Sequence, residues 1–342
     1  MQATVSTPTR SSASYAAQKR ATPFIVNGIM IAIVLIMLMP IALTLATSFK
    51  QEKDVLRKPP VLIPCDQPDG SVALSACRFV VEGYDRVIAP KADPKATLGF
   101  AVTGRMFTTY LPNTLLYAFG SSFLVFALSG MAGYAFSRYR FRGRRVLMVA
   151  ILAITGIPLL TNLLALYQTA VDVRKGFAPI ATAIANSLAL GKNGAQSLQN
   201  IQEQLFIILV YVGFQLPFSI WIVKGFFDTI PRELEEAAFI DGCSPIQALV
   251  QIVVPLATPG LMAAFLLSFV NVWNEFIAGY LLIARRDLRT AMFGMYDFLS
   301  QNIINYQVIA AACVLVAAPV VVLFLFTRKT FFEAMTEGAI KG

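Results

Sequence analysis

The sequence contains no histidine, and only 14% of its 342 residues are charged. The absence of histidine excludes imidazole metal ligands and histidine general bases. Soluble domains contain about 25% charged residues, so the low charge argues that most of this chain is not surrounded by water. The sequence also lacks the G-x-x-x-x-G-K-[ST] phosphate-binding loop, so we do not expect this chain to bind ATP in that manner.

Apolar residues, by contrast, make up 57% of the sequence, and many of them lie in long runs. A run of about 20 apolar residues is long enough to cross a bilayer as a helix. Six such runs are present, at 24–48, 113–136, 146–169, 204–226, 259–283 and 306–327. The predicted fold class is therefore all-α: a polytopic membrane protein with six transmembrane helices.

Basic residues predict the sidedness of these spans, because lysine and arginine in short loops mark the cytoplasmic side. The short loop after the second run contains five arginines and no acidic residue: Arg138, Arg140, Arg142, Arg144 and Arg145. Basic residues also precede the first run and follow the last, so both termini are predicted to be cytoplasmic. Since these residues cluster at the ends of spans, the net charge of +9 predicts no nucleic-acid partner.

The spans and charges predict the order of segments along the chain. Residues 1–23 form a flexible cytoplasmic tail, and 24–48 form the first span. That run is longer than the core of a signal peptide, about 7–15 residues, so it is predicted to be a retained anchor. An extended outward loop covers 49–112, a core domain with the other five spans covers 113–327, and a cytoplasmic tail covers 328–342.

Two cysteines, Cys65 and Cys77, lie in the predicted outward loop. An oxidising compartment permits a disulfide between them, which would add about 3 kcal/mol of loop constraint. Two free thiols are the alternative, and the sequence leaves both open. The spacing of the other two cysteines, Cys243 and Cys313, suits no metal site.

The predicted cytoplasmic loop at 228–258 is acidic and amphipathic, unlike the runs around it. Pro231 suits the first turn of a helix, where its missing N–H costs nothing. Three acidic residues then lie near the positively charged helix N-terminus: Glu233, Glu235 and Glu236. Asp241 and Gly242 supply a turn, so the first half of the loop is predicted to be a short helix that ends there.

A second helix is predicted to follow the turn. Ser244 caps it, Pro245 takes its first position, and Gln247 completes a capping box. Four residues recur at i, i+3, i+4 and i+7 and form one apolar stripe: Ile246, Leu249, Val250 and Val253. Pro255 and Pro259 are predicted to end this helix before the fifth span.

Such local order predicts that the loop docks onto a partner. The alternative is an amphipathic helix on the lipid headgroups. Interfacial helices favour lysine and arginine, and neither residue occurs between Glu233 and Pro259. The sequence therefore favours docking.

Residues of this loop resemble a known family. Glu236-Ala237-Ala238, Asp241-Gly242 and Pro255 resemble the E-A-A…D-G…P loop of ABC importer permeases. Trp273-Asn274-Glu275-Phe276 and the C-terminal Glu337-Gly338-Ala339-Ile340-Lys341-Gly342 resemble its carbohydrate-uptake branch, in particular the smaller membrane subunit of maltose-type transporters. The resemblance runs from the first span to the C-terminus and departs at 49–112 and 170–203, which look like extended loops.

The resemblance implies a type I ABC importer permease fold, with the loop as a coupling helix seated in a cleft of a separate ATPase subunit. Glu235 and Glu236 would meet basic residues of the ATPase, while apolar side chains fill its groove. The alternative for Glu236 is a solvated acid at a helix start. The implied coupling residues are Glu235, Glu236, Ala237, Ala238, Asp241, Gly242, Ile246, Leu249, Val250 and Pro255.

Other contacts are implied at the ends of the spans. Gly338 and Lys341 lie in a tail that reaches between two ATPases in the maltose-type relative, although a frayed end is the alternative. An outward stretch falls, by position alone, where that relative contacts its solute-binding protein: Arg285, Arg286, Asp287 and Arg289.

Three residues of the fifth span are candidates for the translocation pathway. Glu275 is the clearest ionisable residue within a span, and such residues are functional candidates. Asn271 and Asn274 lie within one turn, and amide and carboxylate groups suit sugar hydroxyls. The alternative is that Glu275 ties spans together near the outer interface.

The function implied is the permease subunit of an ATP-driven, binding-protein-dependent importer that moves a di- or oligosaccharide. The chain does no chemistry and binds no cofactor; its partner ATPase uses ATP and Mg. Implied partners are a second homologous permease, two ATPase copies, a periplasmic or lipid-anchored solute-binding protein, and membrane lipid. Alternatives are the same importer class with glycerol phosphate or a polyol as cargo, a secondary transporter with inverted repeats, and a membrane-bound enzyme.

Overall fold

The structure is a computed structural model that describes residues 12–55, 65, 77–88, 105–300 and 305–339. Every regular element within these ranges is a helix. The chain divides into two compact units, one of residues 1–84 with 305–314 and one of residues 85–304 with 315–342.

The first unit contains α1, Ser12–Ser48, whose stretch Val26–Ser48 is long and apolar enough to span a membrane. The prediction of a flexible tail is wrong for residues 12–23, which are helical. The reason is composition: alanine, glutamine, lysine and arginine in this stretch favour a helix. The short α2, Glu52–Val55, follows in the predicted outward loop.

A contact closes part of the outward loop onto the end of α1. The backbone N–H of Val80 donates to the carbonyl of Phe49 at 2.9 Å, and the Ser48 and Tyr84 hydroxyls are 2.8 Å apart. The sulfur atoms of Cys65 and Cys77 are bonded at 2.00 Å, so the structure has the disulfide alternative. The rest of the loop at 56–64, 66–76 and 89–104 lies outside the described residues.

The second unit is built on helices that pack side by side. The helix α3 covers Glu82–Ile88, and residues 85–88 of it belong to this unit. A π-helical turn at Met106–Tyr110 leads into α4, Leu111–Arg138, and a later long helix, α7, covers Gly191–Phe227. Both are long and apolar enough to span a membrane.

The third span differs from its prediction at 146–169. It consists of α5, Arg144–Ile154, and α6, Leu159–Ser187, which meet at 87°. Pro158 lies in this break with an extended backbone, φ −60° and ψ 140°, and a proline disfavours helical backbone in the residue before it. Among the described residues, five helices qualify as spans singly, and this bent pair makes a sixth when it is counted as one span.

The extended loop predicted at 170–203 is wrong. α6 continues to Ser187, and α7 begins at Gly191, so only three residues separate the helices. Hydropathy counting missed them because Asp172, Arg174 and Lys175 interrupt the apolar pattern of α6, and because the start of α7 is rich in polar residues. α7 has 37 residues, and at about 1.5 Å per residue it is about 55 Å long, nearly twice a bilayer core of about 30 Å. One end of α7 therefore lies outside the hydrocarbon layer.

The fifth span also begins earlier than its prediction at 259–283. A continuous helical stretch runs from α9, Pro245–Ala248, through a π-helical turn at Leu249–Val253 into α10, Val254–Trp273. Neither Pro255 nor Pro259 ends the helix, contrary to prediction. Pro255 lies in the first turn of α10, where its missing N–H is tolerated. The stretch ends at Trp273, and the separate α11 covers Ile277–Leu282.

The core of the second unit lies where α4, α7 and α10 meet. A buried apolar cluster there consists of Tyr134, Val223, Phe227, Ile230, Val253, Ala257, Leu261 and Ala264. Gly260 permits the close approach of α10 to α7, because a Cβ at this position would lie 2.2 Å from Cγ of Phe226. This cluster reaches the loop at 228–258 through Ile230 and Val253.

The chain ends in α12, Ala291–Ser300, and α13, Tyr306–Ala339. The stretch Tyr306–Lys329 of α13 corresponds to the predicted last span. The helix then continues to Ala339, so most of the predicted tail at 328–342 is helical. Residues 340–342 lie outside the described residues.

Candidate functional site

The loop predicted as a coupling element consists of two short helices. The first, α8, covers Glu233–Ile240 and carries three glutamates in its first turn. It begins two residues after Pro231, so the proline precedes the helix instead of lying in its first turn as predicted. The second is α9, which continues into the fifth span. The loop is therefore a helix–turn–helix joined directly to the membrane helix that follows it.

The turn between α8 and α9 has the predicted glycine turn and the predicted helix cap. Gly242 has φ +89°, a left-handed conformation that only glycine adopts without strain. The N–H of Cys243 donates to the carbonyl of Ala238 at 2.9 Å and closes the end of α8. The N–H of Gln247 donates to Oγ of Ser244 at 3.3 Å, and Oε1 of Gln247 accepts from the N–H of Ser244 at 2.8 Å. The predicted capping box is therefore present.

Several large apolar side chains of this loop are exposed at the surface of the chain. Ile240 is 86% exposed, Ile246 74% and Val250 57%. Leu234 and Phe239 are less exposed, and the acidic Glu236 is exposed beside them. We call these six residues the docking surface. An exposed apolar patch that the chain does not cover itself is typical of a protein interface.

The structure divides the predicted coupling residues into two groups. Ala237, Asp241, Gly242 and Pro255 are exposed like the docking surface. Ala238 is buried, and Leu249 packs against the buried cluster. Leu249 is only half-buried by this packing, and its contact with a groove of a partner stays a prediction.

Glu235 is the clearest correction. Its side chain is 7% exposed and that of Arg138 is 9% exposed, and Nε of Arg138 donates to Oε1 of Glu235 at 2.5 Å. The hydroxyl of Tyr134 donates to Oε2 at 2.8 Å. The prediction that Glu235 meets basic residues of another subunit is wrong, since both of its oxygens are engaged within the chain. We call Tyr134, Arg138 and Glu235 the latch.

A second polar set lies beside the latch. Oγ of Ser137 donates to Oδ1 of Asp228 at 2.7 Å, and Nζ of Lys224 pairs with the other oxygen of Asp228. A nitrogen of the Arg232 guanidinium donates to the carbonyl of Ser137 at 3.0 Å. The end of α4 is thus bound both to the end of α7 and to the segment before α8.

The pathway candidates lie at the C-terminal end of α10 and just after it. Oε2 of Glu275 accepts from the hydroxyl of the buried Tyr211 at 2.9 Å, and both carboxylate oxygens accept backbone N–H groups at the start of α11. Glu275 therefore ties α7, α10 and α11 together, which is the alternative left open by the sequence. Nδ2 of Asn271 donates to Oε1 of Gln215 at 3.1 Å, whereas Asn274 bonds its own helix.

The outward stretch predicted to meet a binding protein is held largely by this chain. Arg285 donates to the side chains of Gln199 and Asn200 at the start of α7. Asp287 pairs with Arg105 at 2.7 Å in an exposed position, and the Arg289 guanidinium lies 4.0 Å from the Phe293 ring centre. Arg286 is exposed in a 3-10 turn. The binding-protein role stays a prediction.

The remaining predicted residue pair lies at the C-terminus. Gly338 is in the last turn of α13, and Lys341 lies outside the described residues. A contact of this tail with ATPases stays a prediction.

A mainly apolar cavity of about 650 Å³ lies beside the break in the third span. Ile154 and Asn162 line it from the bent pair, and Phe214 and Phe218 line it from α7. None of the three pathway candidates lines this cavity, so it is distinct from the polar groups around Glu275.

Two structurally central charges were missed as site residues. From the sequence, Arg138 indicates only the sidedness of a loop, although its guanidinium pairs with the carboxylate of Glu235, 97 positions away. Glu203 is 4% exposed, accepts from the N–H of Ala284 at 2.6 Å, and pairs with Arg174 at 3.4 Å. The one available signal for Glu203 was an acidic residue at the edge of an apolar run.

Comparisons with known proteins agree with this architecture. The chain is 30% identical over 238 residues to the maltodextrin transport system permease protein MdxG of Bacillus subtilis, covering 69% of this chain and 77% of that protein. It is 32% identical over 257 residues to the maltose/maltodextrin transport system permease protein MalG of Vibrio vulnificus, covering 72% and 80%. The sulfoquinovosyl glycerol transport system permease protein SmoH of Agrobacterium fabrum is 29% identical over 253 residues, covering 74% and 80%.

A solved structure has the same fold. It is the crystal structure of a bacterial ABC transporter involved in the import of the acidic polysaccharide alginate, with a TM-score of 0.64 and 22% identity over 95% of this chain and 100% of that chain. Residues 127–332, more than half of this chain, match the family described as binding-protein-dependent transport system inner membrane component. This chain therefore belongs to that family, as a membrane-spanning permease subunit with the fold of an ABC importer permease.

Proposed function

We propose that this chain is the subunit through which an ATP-driven importer takes up a carbohydrate, and that the docking surface is the part which a separate ATPase subunit moves. The supporting observation is the exposed apolar surface on α8 and α9. Ile240 and Ile246 are the most exposed large apolar residues of the loop, and Ile246 lies on α9, which continues into a membrane span. When a partner that is bound to Ile246 moves, it therefore moves the fifth span directly.

The cargo is proposed from the relatives. The names of MdxG, MalG and SmoH specify maltodextrin, maltose or sulfoquinovosyl glycerol transport. All three cargoes contain a glycoside, so we propose a carbohydrate, a di- or oligosaccharide, for this chain. SmoH favours a second candidate cargo, a sugar joined to glycerol.

The proposed partners follow from the family and from the surfaces that this chain does not cover itself. A second homologous permease completes the pathway. Two ATPase copies bind from the cytoplasm, where they consume ATP and Mg. A periplasmic or lipid-anchored solute-binding protein delivers the cargo on the outer side. Both termini of this chain face the cytoplasm, because arginine in the α4–α5 loop marks that side.

The docking surface is tested by copurification. The tagged chain is solubilised from its native membrane as wild type and as Glu236→Lys. The expected result is an ATPase subunit that copurifies with wild type and is lost from the variant, because the new positive charge opposes a basic groove. Asp172→Lys is the matched control, since it makes the same charge change at an exposed position of α6. The control is expected to retain the ATPase.

The results separate the candidate functions. No ATPase in either preparation would contradict the importer function and favour a secondary transporter. An ATPase that stays with Glu236→Lys would place docking elsewhere in the chain. The cargo is tested with the reconstituted complex and its binding protein, by comparing ATP hydrolysis with maltotriose, a glycosyl glycerol and glycerol phosphate. Stimulation by glycerol phosphate alone would contradict a carbohydrate cargo.

A further inference from the structure

The docking surface is carried by two short helices, which raises the question of how its movement reaches the spans. For the part of the docking surface on α9, the connection to the spans is the continuous helical backbone. α9 continues through the π-helical turn at Leu249–Val253 into α10. α8, which carries Glu236 and Ile240, is separated from α9 by the turn at Gly242. A glycine turn is a weak mechanical link, so α8 needs another attachment.

The latch supplies that attachment. Glu235 is on α8, and both Tyr134 and Arg138 are in the last two turns of α4. The bonds use both carboxylate oxygens, at 2.5 Å to Arg138 and 2.8 Å to Tyr134. Its charged pair is nearly sealed from water, so solvent does not compete for these bonds. The latch therefore fixes the orientation of α8 against α4.

Additional bonds extend the attachment to the segment before α8. A terminal nitrogen of Arg138 donates to the carbonyl of Ile230 at 3.1 Å. Arg232 donates in the opposite direction, to the carbonyl of Ser137. Ser137 also bonds Asp228 at the end of α7. The end of α4 is therefore hydrogen-bonded both to the end of α7 and to the segment that leads into α8.

The chemistry of the latch favours orientation over simple stability. Replacing a buried ion pair with apolar residues of similar volume is often neutral or stabilising, whereas removing one partner is strongly destabilising. An apolar contact would hold α8 to α4 in many orientations. The planar guanidinium of Arg138 bonds a carboxylate and a carbonyl at once, which fixes one orientation.

We propose that Glu235 is a positioning residue for energy coupling: through Arg138 it transmits movement of the docking surface to α4. The inference rests on the proposed function. Nucleotide shifts the conformation of the permease only through a difference in free energy between its two states. This free-energy difference changes the position of α4 when α8 and α4 move together. Loosening the latch leaves docking intact but separates ATP hydrolysis from transport.

The test uses the complete transporter in liposomes, with its partner permease, ATPase and binding protein. Wild type, Glu235→Gln and Glu233→Gln are compared for ATPase retention, ATP hydrolysis and solute uptake. Glu233 is the matched control, because it is an exposed glutamate of the same helix turn. Glu235→Gln is expected to retain the ATPase and to lower solute uptake per ATP by about tenfold, within the usual range of coupling between sites. The control is expected to match wild type.

The outcomes are distinguishable. A wild-type complex without any ATPase overturns the proposed function. A normal complex in which Glu235→Gln keeps uptake per ATP within about twofold of wild type, below typical coupling effects, overturns the latch alone. If Glu235→Gln does not assemble, Arg138→Lys decides. It keeps the charge but cannot hold Glu235 and the Ile230 carbonyl together, so uptake per ATP is expected to fall. Unchanged uptake per ATP in Arg138→Lys overturns the proposal.

Discussion

Truncation of Ile246 to alanine is expected to weaken ATPase binding by a calculable amount. The substitution removes three carbon atoms from a side chain that is 74% exposed. Burial of each carbon contributes about 0.8 kcal/mol. Scaled to the part of the side chain that is available for burial, the loss is about 1.8 kcal/mol, or about 20-fold in the dissociation constant. The backbone of α9 is expected to be unaffected, because alanine favours helix.

The measurement is ATPase binding to the permease complex in lipid nanodiscs, followed by biolayer interferometry. Val146→Ala is the control. Val146 is 73% exposed, and it lies on α5, outside the docking surface. Its dissociation constant is expected to match wild type. A change of less than about twofold in Ile246→Ala would refute the reasoning, since burying this side chain must contribute more than that. An equal loss in both variants would instead indicate a general effect of truncation.

Three further substitutions test the geometry of the loop and the outer end of the spans. Gly242→Ala places a side chain at φ +89°, which costs about 1–2 kcal/mol; ATPase affinity is expected to fall, and unchanged affinity would show that this turn does not orient the docking surface. Ser244→Ala removes the capping box of α9, worth about 0.5–2 kcal/mol, so hydrogen exchange of the amides at 246–248 is expected to accelerate; equal rates would contradict the cap. Glu275→Gln weakens three bonds to one carboxylate, so the melting temperature in detergent is expected to fall, and an unchanged value would contradict its role as a tie between helices.

The features predicted correctly are those that depend on neighbouring residues. The glycine turn at Gly242 and the capping box of Ser244 and Gln247 involve residues within three positions of each other. Their chemistry is complete in a short stretch of sequence. The apolar stripe is correct only in part, because Ile246 and Val250 are exposed whereas Leu249 packs against the buried cluster and Val253 lies within it.

The features missed depend on distant residues or on the ends of helices. The partner of Glu235 lies 97 positions earlier in the chain, and no local pattern connects the two. Glu235 and Glu236 are adjacent and chemically identical, yet one is buried and the other is exposed. Their direction depends on how α8 packs against α4. The third span is predicted as one run at 146–169, because hydropathy counting does not record the break at Pro158.

The docking surface and the latch belong to separate steps, and a double variant tests that separation. Ile246→Ala removes apolar area from the surface that meets the ATPase, so it changes affinity. Glu235→Gln alters a bond inside the chain, so it changes uptake per ATP in the complexes that form. The double variant is expected to bind the ATPase as weakly as Ile246→Ala and, at saturating ATPase, to show the coupling of Glu235→Gln. If Glu235→Gln weakened binding further in the double variant, the latch would be shaping the docking surface itself, and transmission to α4 would not be its distinct role.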